Sequence, residues 1–163
     1  MTVLGIDPGT AACGYGVVSQ TGGRLEAVDL GSWHTRASMR PELRLKAIHD
    51  EVFDLIRQFE PAVVAVEESF VGADARTALS VGQARGAVLV AAARAGVACV
   101  EYAPAHVKQA VCGYGRAEKA QVQRMVQAIL RLKVPPASSH EADALAVAIC
   151  HAMAPPLLQA IAG

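Results

Sequence analysis

The stretch Thr2 to Gly9, TVLGIDPG, limits what this chain can fold into more than any other. Val3, Leu4 and Ile6 form a short apolar run that ends in Asp7, and Pro8-Gly9 then prevents the strand from continuing. One carboxylate is therefore left at the edge of a buried sheet. Such an acid must be neutralised, hydrogen-bonded or bound to a cation. Asp-Pro-Gly alone equally suits an aspartate that only hydrogen-bonds the turn after it. The pattern recurs, however: Ala62 to Val66 is a continuous apolar run, as expected for a strand covered on both faces, and it stops at Glu67-Glu68.

Between these two runs the periodicity is informative. From Ala12 to Gln20, Gly14, Gly16 and Val18 alternate with Cys13, Tyr15 and Val17, which predicts a strand with two glycines on one face and a close neighbour above it. Thr21-Gly22-Gly23 reads as a hairpin turn, and Arg24 to Thr35 as the third strand of a meander. Pro41 to Phe59 changes to a helical period, with Leu45, Ile48, Val52, Leu55, Ile56 and Phe59 inward and Arg44, Asp50, Glu51, Asp54 and Arg57 on the other side. An Ala-rich helix is expected from Arg76 to Ala95. Its Gly82 and Gly86 share a face that admits another backbone, either the sheet or a partner helix. A short strand at Ala98 to Tyr102, a helix opened by Pro104 and broken at Gly113-Tyr114-Gly115, and a helix from Glu118 to Leu132 follow.

Ser138 and Glu141 have the spacing of a capping box, which gives Glu141 a structural task. His140 and Asp143 then lie on one side of the first turn of a helix whose other side is marked by Ala142, Leu145, Ala146, Ile149 and Met153. That helix is apolar nearly all round and must be buried, so its two ionisable groups need partners. The element order predicts an α/β domain: a mixed five-stranded sheet with helices on both faces, over residues 1–153, followed by a short C-terminal tail at 154–163.

The composition, 53% hydrophobic and 18% charged over 163 residues, excludes disorder. With no basic region and apolar stretch at the start, and no apolar run long enough to cross a bilayer, a cytoplasmic protein without membrane association is expected. The four cysteines lack a C-x-x-C pair and read as reduced core residues. Net charge is zero but unevenly spread. Glu42 to Asp74 holds eight acids against three bases, and Arg76 to Lys133 nine bases against two acids, so one half can face phosphate.

Asp7, Glu67 and Asp143 come from separated elements, and carboxylates gathered in one cleft repel unless cations sit between them. Mg²⁺ or Mn²⁺ provides that compensation. Two such ions about 3.5 to 4 Å apart serve phosphodiester hydrolysis without a nucleophilic Ser or Cys.

GIDPG at Gly5 to Gly9, VEESF at Val66 to Phe70, GQARG at Gly82 to Gly86, VKQAVCGYGRAEKAQV at Val107 to Val122 and HEADALAVAI at His140 to Ile149 occur in that order over nearly the whole chain. Together they resemble the RuvC family of Holliday-junction resolvases. The resemblance implies an RNase H-like nuclease domain, a homodimer, association with a branch-migration motor, and symmetric metal-dependent nicking of two like-polarity strands of a four-way DNA junction in recombination and repair. It implies that Asp7, Glu67 and Asp143 bind metal, with His140 at the fourth position. There an imidazole favours Mn²⁺ over Mg²⁺, or serves proton transfer. It further implies that Lys108 lies by the scissile phosphate, that Phe70 stacks on an unpaired base and that Gly82 and Gly86 lie in the dimer interface; from the residues themselves, Lys119 and Arg116 beside a helix N-terminus can hold a phosphate and Arg76 is a candidate contact to the DNA backbone. An ATP-binding protein of the actin and sugar-kinase type, a catalytically silent RNase H-like module and a general nuclease are the competing readings.

Overall fold

The computed structural model describes residues 1–68 and 75–154; Phe70 and all but the first residue of the expected 154–163 tail lie outside the described residues. A five-stranded sheet, in the order β3-β2-β1-β4-β5, is built from β1 (Thr2–Asp7), β2 (Ala12–Thr21), β3 (Arg24–His34), β4 (Val63–Glu67) and β5 (Ala98–Tyr102). The first three strands are antiparallel, and β4 and β5 join parallel to β1, which makes the sheet mixed as expected. Gly22 and Gly23 both take positive φ (57° and 79°), the backbone that a two-residue hairpin turn demands.

Period-two alternation divides the strand side chains between two cores. Leu4, Ile6, Val17, Val64 and Val66 point toward α1 (Pro41–Phe59) and α2 (Ala75–Ala95). Val3, Val18, Val63 and Ala65 point toward α3 (Pro104–Cys112), α4 (Lys119–Leu130) and α5 (Ser139–Ala152). Leu145 and Ile149 of α5 are wholly buried, which contributes about 1.5–3 kcal/mol each.

The glycine face of β2 has the close neighbour that its pattern predicts: α5. A Cβ at Gly14 would lie 2.1 Å from the His140 carbonyl oxygen, one at Gly16 2.6 Å from the Leu145 side chain, and one at Gly5 2.1 Å from the Ala144 carbonyl oxygen. Alanines at 142, 144, 146 and 148 keep the helix correspondingly slim. Two details differ from expectation, and one open alternative narrows. Met153, placed inward by periodicity, ends the helix as its C-cap and is 54% exposed. Gly82 and Gly86 do not pack within the fold, since a Cβ at either meets nothing within 4 Å among the described residues. The capping box is only half formed: Ser138 Oγ accepts from the Glu141 N–H (3.2 Å), but the Glu141 carboxylate accepts from the Ala137 N–H (2.8 Å) and from Ser32 Oγ–H (3.3 Å). Glu141 remains structural.

All four cysteines are free; Cys13 and Cys150 are buried, and burial pushes both thiols up to about 12, which leaves them unreactive. Among the described residues no helix is long and apolar enough to cross a membrane.

The glycine contacts set a clear expectation. Gly5→Ala must drive a methyl into the α5 backbone and should lower the unfolding free energy by about 2–3 kcal/mol. Gly82→Ala, on an open helix face, should leave it unchanged or raise it by up to about 1 kcal/mol. Urea unfolding of dilute protein measures both.

Candidate active site

The register brings the two strand-end acids together. Val3, Leu4, Gly5 and Ile6 pair in parallel with Val63, Val64, Ala65 and Val66, so Asp7 and Glu67 stand side by side one step beyond Ile6 and Val66. By alternation both project on the α5 side of the sheet. Asp7 is also the ladder partner of Gly14, where the missing side chain lets the first turn of α5 sit against the sheet. That turn delivers His140 and Asp143. His140 Nδ1 lies 2.7 Å from Asp7 Oδ2. Opposite, Lys108 from α3 and Lys119 from the start of α4 border the same pocket, and Lys119 Nζ lies 3.5 Å from Asp143 Oδ2. The pocket, of about 440 Å³, is thus lined by Asp7, Glu67, His140, Asp143, Lys108 and Lys119.

The electrostatics are those of an under-compensated acid cluster. Burial raises the Asp7 carboxyl above its ordinary value; the hydrogen bond from His140 opposes the rise and the Asp143 charge adds to it. Glu67 is pushed up to about 7, first by burial and then by the charges of Asp143 and Asp7, with Lys119 and Lys108 opposing. No three His, Cys, Asp or Glu side chains among the described residues are grouped tightly enough to hold an ion as they stand. Asp7 is engaged by His140, and Asp143 leans toward Lys119. The donor set nevertheless suits a hard divalent cation: three carboxylates and one imidazole share a half-buried pocket in which burial and the neighbouring acids raise Glu67 to about 7.

Other expected site residues lie further out. Arg76, on the first turn of α2, lines an adjoining groove that shares Gly9, Val81 and His140 with the acid pocket. Arg116 is exposed in the loop before α4 and does not line the pocket. Gly82 and Gly86 lie on the open face of α2. Sequence reasoning passed over Glu68, which lines the pocket beside Glu67; the Glu-Glu doublet was its signal. It also passed over Thr10 and Ser80, whose hydroxyls are hydrogen-bonded although seventy residues apart, a pairing without any periodic signature.

A sheet ordered β3-β2-β1-β4-β5 with acids at the ends of its two central strands and on the helix lying over them is the RNase H-like architecture. A family model described as "Crossover junction endodeoxyribonuclease RuvC" matches residues 3–151. The crossover junction endodeoxyribonuclease RuvC of Desulfitobacterium hafniense (strain DSM 10664 / DCB-2) is 50% identical over 163 residues, covering 100% of this chain and 99% of the relative. That of Heliobacterium modesticaldum is 53% identical over 150 residues, covering 92% and 93%. The solved structure of T. thermophilus RuvC in complex with Holliday junction substrate superposes with a TM-score of 0.89 at 44% identity, covering 93% of each chain. This chain belongs to the RuvC family.

The raised acids link the pocket to stability. An acid whose folded-state pKa lies above its unfolded value contributes stability that is complete below the unfolded value and is lost as pH rises through the folded one. For Glu67 that window runs from its ordinary 4.5 to about 7. In a chelator-containing buffer the urea midpoint should therefore fall between pH 5 and pH 8, and Glu67→Gln, which stays neutral, should flatten that fall and raise the midpoint at pH 8.

Proposed function

We propose that this RuvC-family endodeoxyribonuclease resolves four-way DNA junctions by divalent-cation-dependent phosphodiester hydrolysis, with Asp7, Glu67 and Asp143 as the cation-holding acids. The observation that carries this reading is the meeting of the three carboxylates in one pocket between two lysines, with Glu67 raised to about 7. Bound divalent cations, Mg²⁺ or Mn²⁺, would compensate the carboxylates and supply Lewis-acid activation of the phosphodiester.

The remaining work falls to the chain's own side chains. The Lys108 ammonium on the pocket wall stabilises the charge that develops on the phosphoryl oxygens, and Lys119 holds a phosphate while it restrains Asp143. With Nδ1 of His140 engaged by Asp7, Nε2 is the nitrogen left to ligate a cation or to accept a proton from water. Arg76 in the adjoining groove and Arg116 in the exposed loop before α4 are the contacts to the DNA backbone, and Phe70 is the base-stacking residue. The open Gly82/Gly86 face of α2 supports a homodimer that presents two such pockets to two like-polarity strands. A branch-migration motor as a further partner rests on the family relationship.

The test is incubation with end-labelled four-way junction, plain duplex and RNA–DNA hybrid, each with Mg²⁺ and with Mn²⁺, beside Asp7→Asn and Lys108→Ala. Paired nicks confined to the junction are expected. Asp7→Asn should lose cleavage while still binding the junction, and Lys108→Ala should lose about 10²–10³ in rate. Cleavage of duplex or hybrid in preference to the junction would contradict junction specificity, and binding without cleavage would contradict hydrolysis. In His140→Asp, loss of a limb of the pH–rate profile near neutrality supports proton transfer, whereas a changed Mn²⁺ to Mg²⁺ rate ratio supports ligation.

A further inference from the structure

The turn that begins at Asp7 is held from two sides by side chains that the proposed chemistry does not use. On one side, the Thr10 carbonyl accepts a hydrogen bond from Thr35 Oγ1, just past the end of β3. The Thr35 N–H donates to the Ala11 carbonyl (3.1 Å), and Arg44 Nε, in the first turn of α1, donates to Thr35 Oγ1 (2.7 Å). The Thr35 hydroxyl thus gives its one proton to the turn and takes one from α1. On the other side, Thr10 Oγ1 is hydrogen-bonded to Ser80 Oγ of α2. A polar path therefore runs from α1 through Thr35 and Thr10 to α2.

The turn is stiff enough to transmit that hold to Asp7. Pro8 fixes its own φ. A Cβ at Gly9 would lie 2.3 Å from the Ala12 carbonyl oxygen, so the loop doubles back on itself with no slack. Thr10 is three residues from Asp7, and the groove that Thr10 and Ser80 line shares Gly9 and His140 with the acid pocket. The described hydrogen bond to the Asp7 carboxylate is the one from His140, so the carboxylate's place depends on how the turn behind it is held.

We propose that Thr10 and Ser80, backed by Thr35 and Arg44, form a positioning strap that ties the Asp7 turn to α1 and α2 and thereby sets the affinity of the acid pocket for a divalent cation. The second half of this statement rests on the cation reading of the pocket; the first does not. Thr10 and Ser80 are positioning residues, which act through Asp7 without touching the substrate.

Two measurements separate the halves. The first is amide hydrogen exchange over residues 8–12 in wild type, Thr10→Val, Ser80→Ala and the double variant, without metal. Loss of either hydroxyl should speed exchange in the turn by about threefold or more while leaving the β4 amides unchanged. The second is titration with Mn²⁺, followed by the electron paramagnetic resonance of the free ion and, in parallel, by junction cleavage against Mn²⁺ concentration.

Each single variant should weaken Mn²⁺ binding by about three- to tenfold, with the cleavage rate at saturating Mn²⁺ kept within about twofold. The double variant should be no worse than the more affected single, because the two hydroxyls act as one contact. Thr10→Ser, which keeps the hydroxyl and removes only a methyl, should match wild type in every readout. Unchanged exchange in both single variants overturns the strap. Faster exchange with unchanged Mn²⁺ binding, or a lost saturated rate with intact binding, overturns its role in cation affinity. Wild-type protein that takes up no Mn²⁺ overturns the cation reading, and that role with it.

Discussion

The closeness of α5 to the sheet is the constraint on which the rest of the structure depends. Gly5, Gly14 and Gly16 leave no room for a Cβ beneath the helix, and an alanine at every second position from 142 to 148 keeps the helix slim. A Cβ at Gly14 alone would meet the His140 backbone at 2.1 Å and push the first turn of α5, with His140, away from Asp7. The packing that builds the core and the contact that builds the pocket are therefore one event. Each glycine weakens its strand in isolation, and burial of Leu145, Ile149 and their neighbours offsets that cost.

The same closeness creates an electrostatic debt. Parallel pairing of β1 with β4 sets Asp7 beside Glu67, and α5 adds Asp143, so three acids share a half-buried pocket. Burial, with the charges of Asp143 and Asp7 added, raises Glu67 to about 7, and Lys119 and Lys108 oppose only part of that rise. A fold selected for stability alone would not assemble such a group. Three acids at the carboxyl ends of the central strands and on the helix over them are the charge arrangement on which the proposed cation role rests.

Much of this was legible in the sequence, for definite reasons. Asp7 and Glu67 stood out because each closes an apolar run, and Gly14 and Gly16 announced a close neighbour because nothing else explains bare positions on one strand face. His140 and Asp143 drew attention as ionisable groups opening an otherwise apolar helix. Other features left no local trace. Adjacency of β1 and β4 is a matter of topology, decided by the crossover through α1 and not by either strand's residues. Periodicity turned Met153 inward, but the helix stops there and leaves it exposed. Gly82 and Gly86 signalled close packing without saying whether the neighbour lies within the chain, and no described residue of the fold covers them. The Thr10–Ser80 contact joins two single polar side chains seventy residues apart, and the Thr35–Arg44 contact two across a loop, and no periodic pattern along the chain encodes either.

The central claim is that the acid pocket lacks a positive charge that a divalent cation supplies. Calorimetric titration of the protein with Mg²⁺ at pH 6.5, in two buffers of different ionisation enthalpy, tests it most directly, because it counts the protons released on binding. With Glu67 raised to about 7, binding should expel a substantial fraction of one proton at this pH, and Glu67→Gln should abolish that release. Binding without proton release in the wild type, or equal release in Glu67→Gln, would contradict the account.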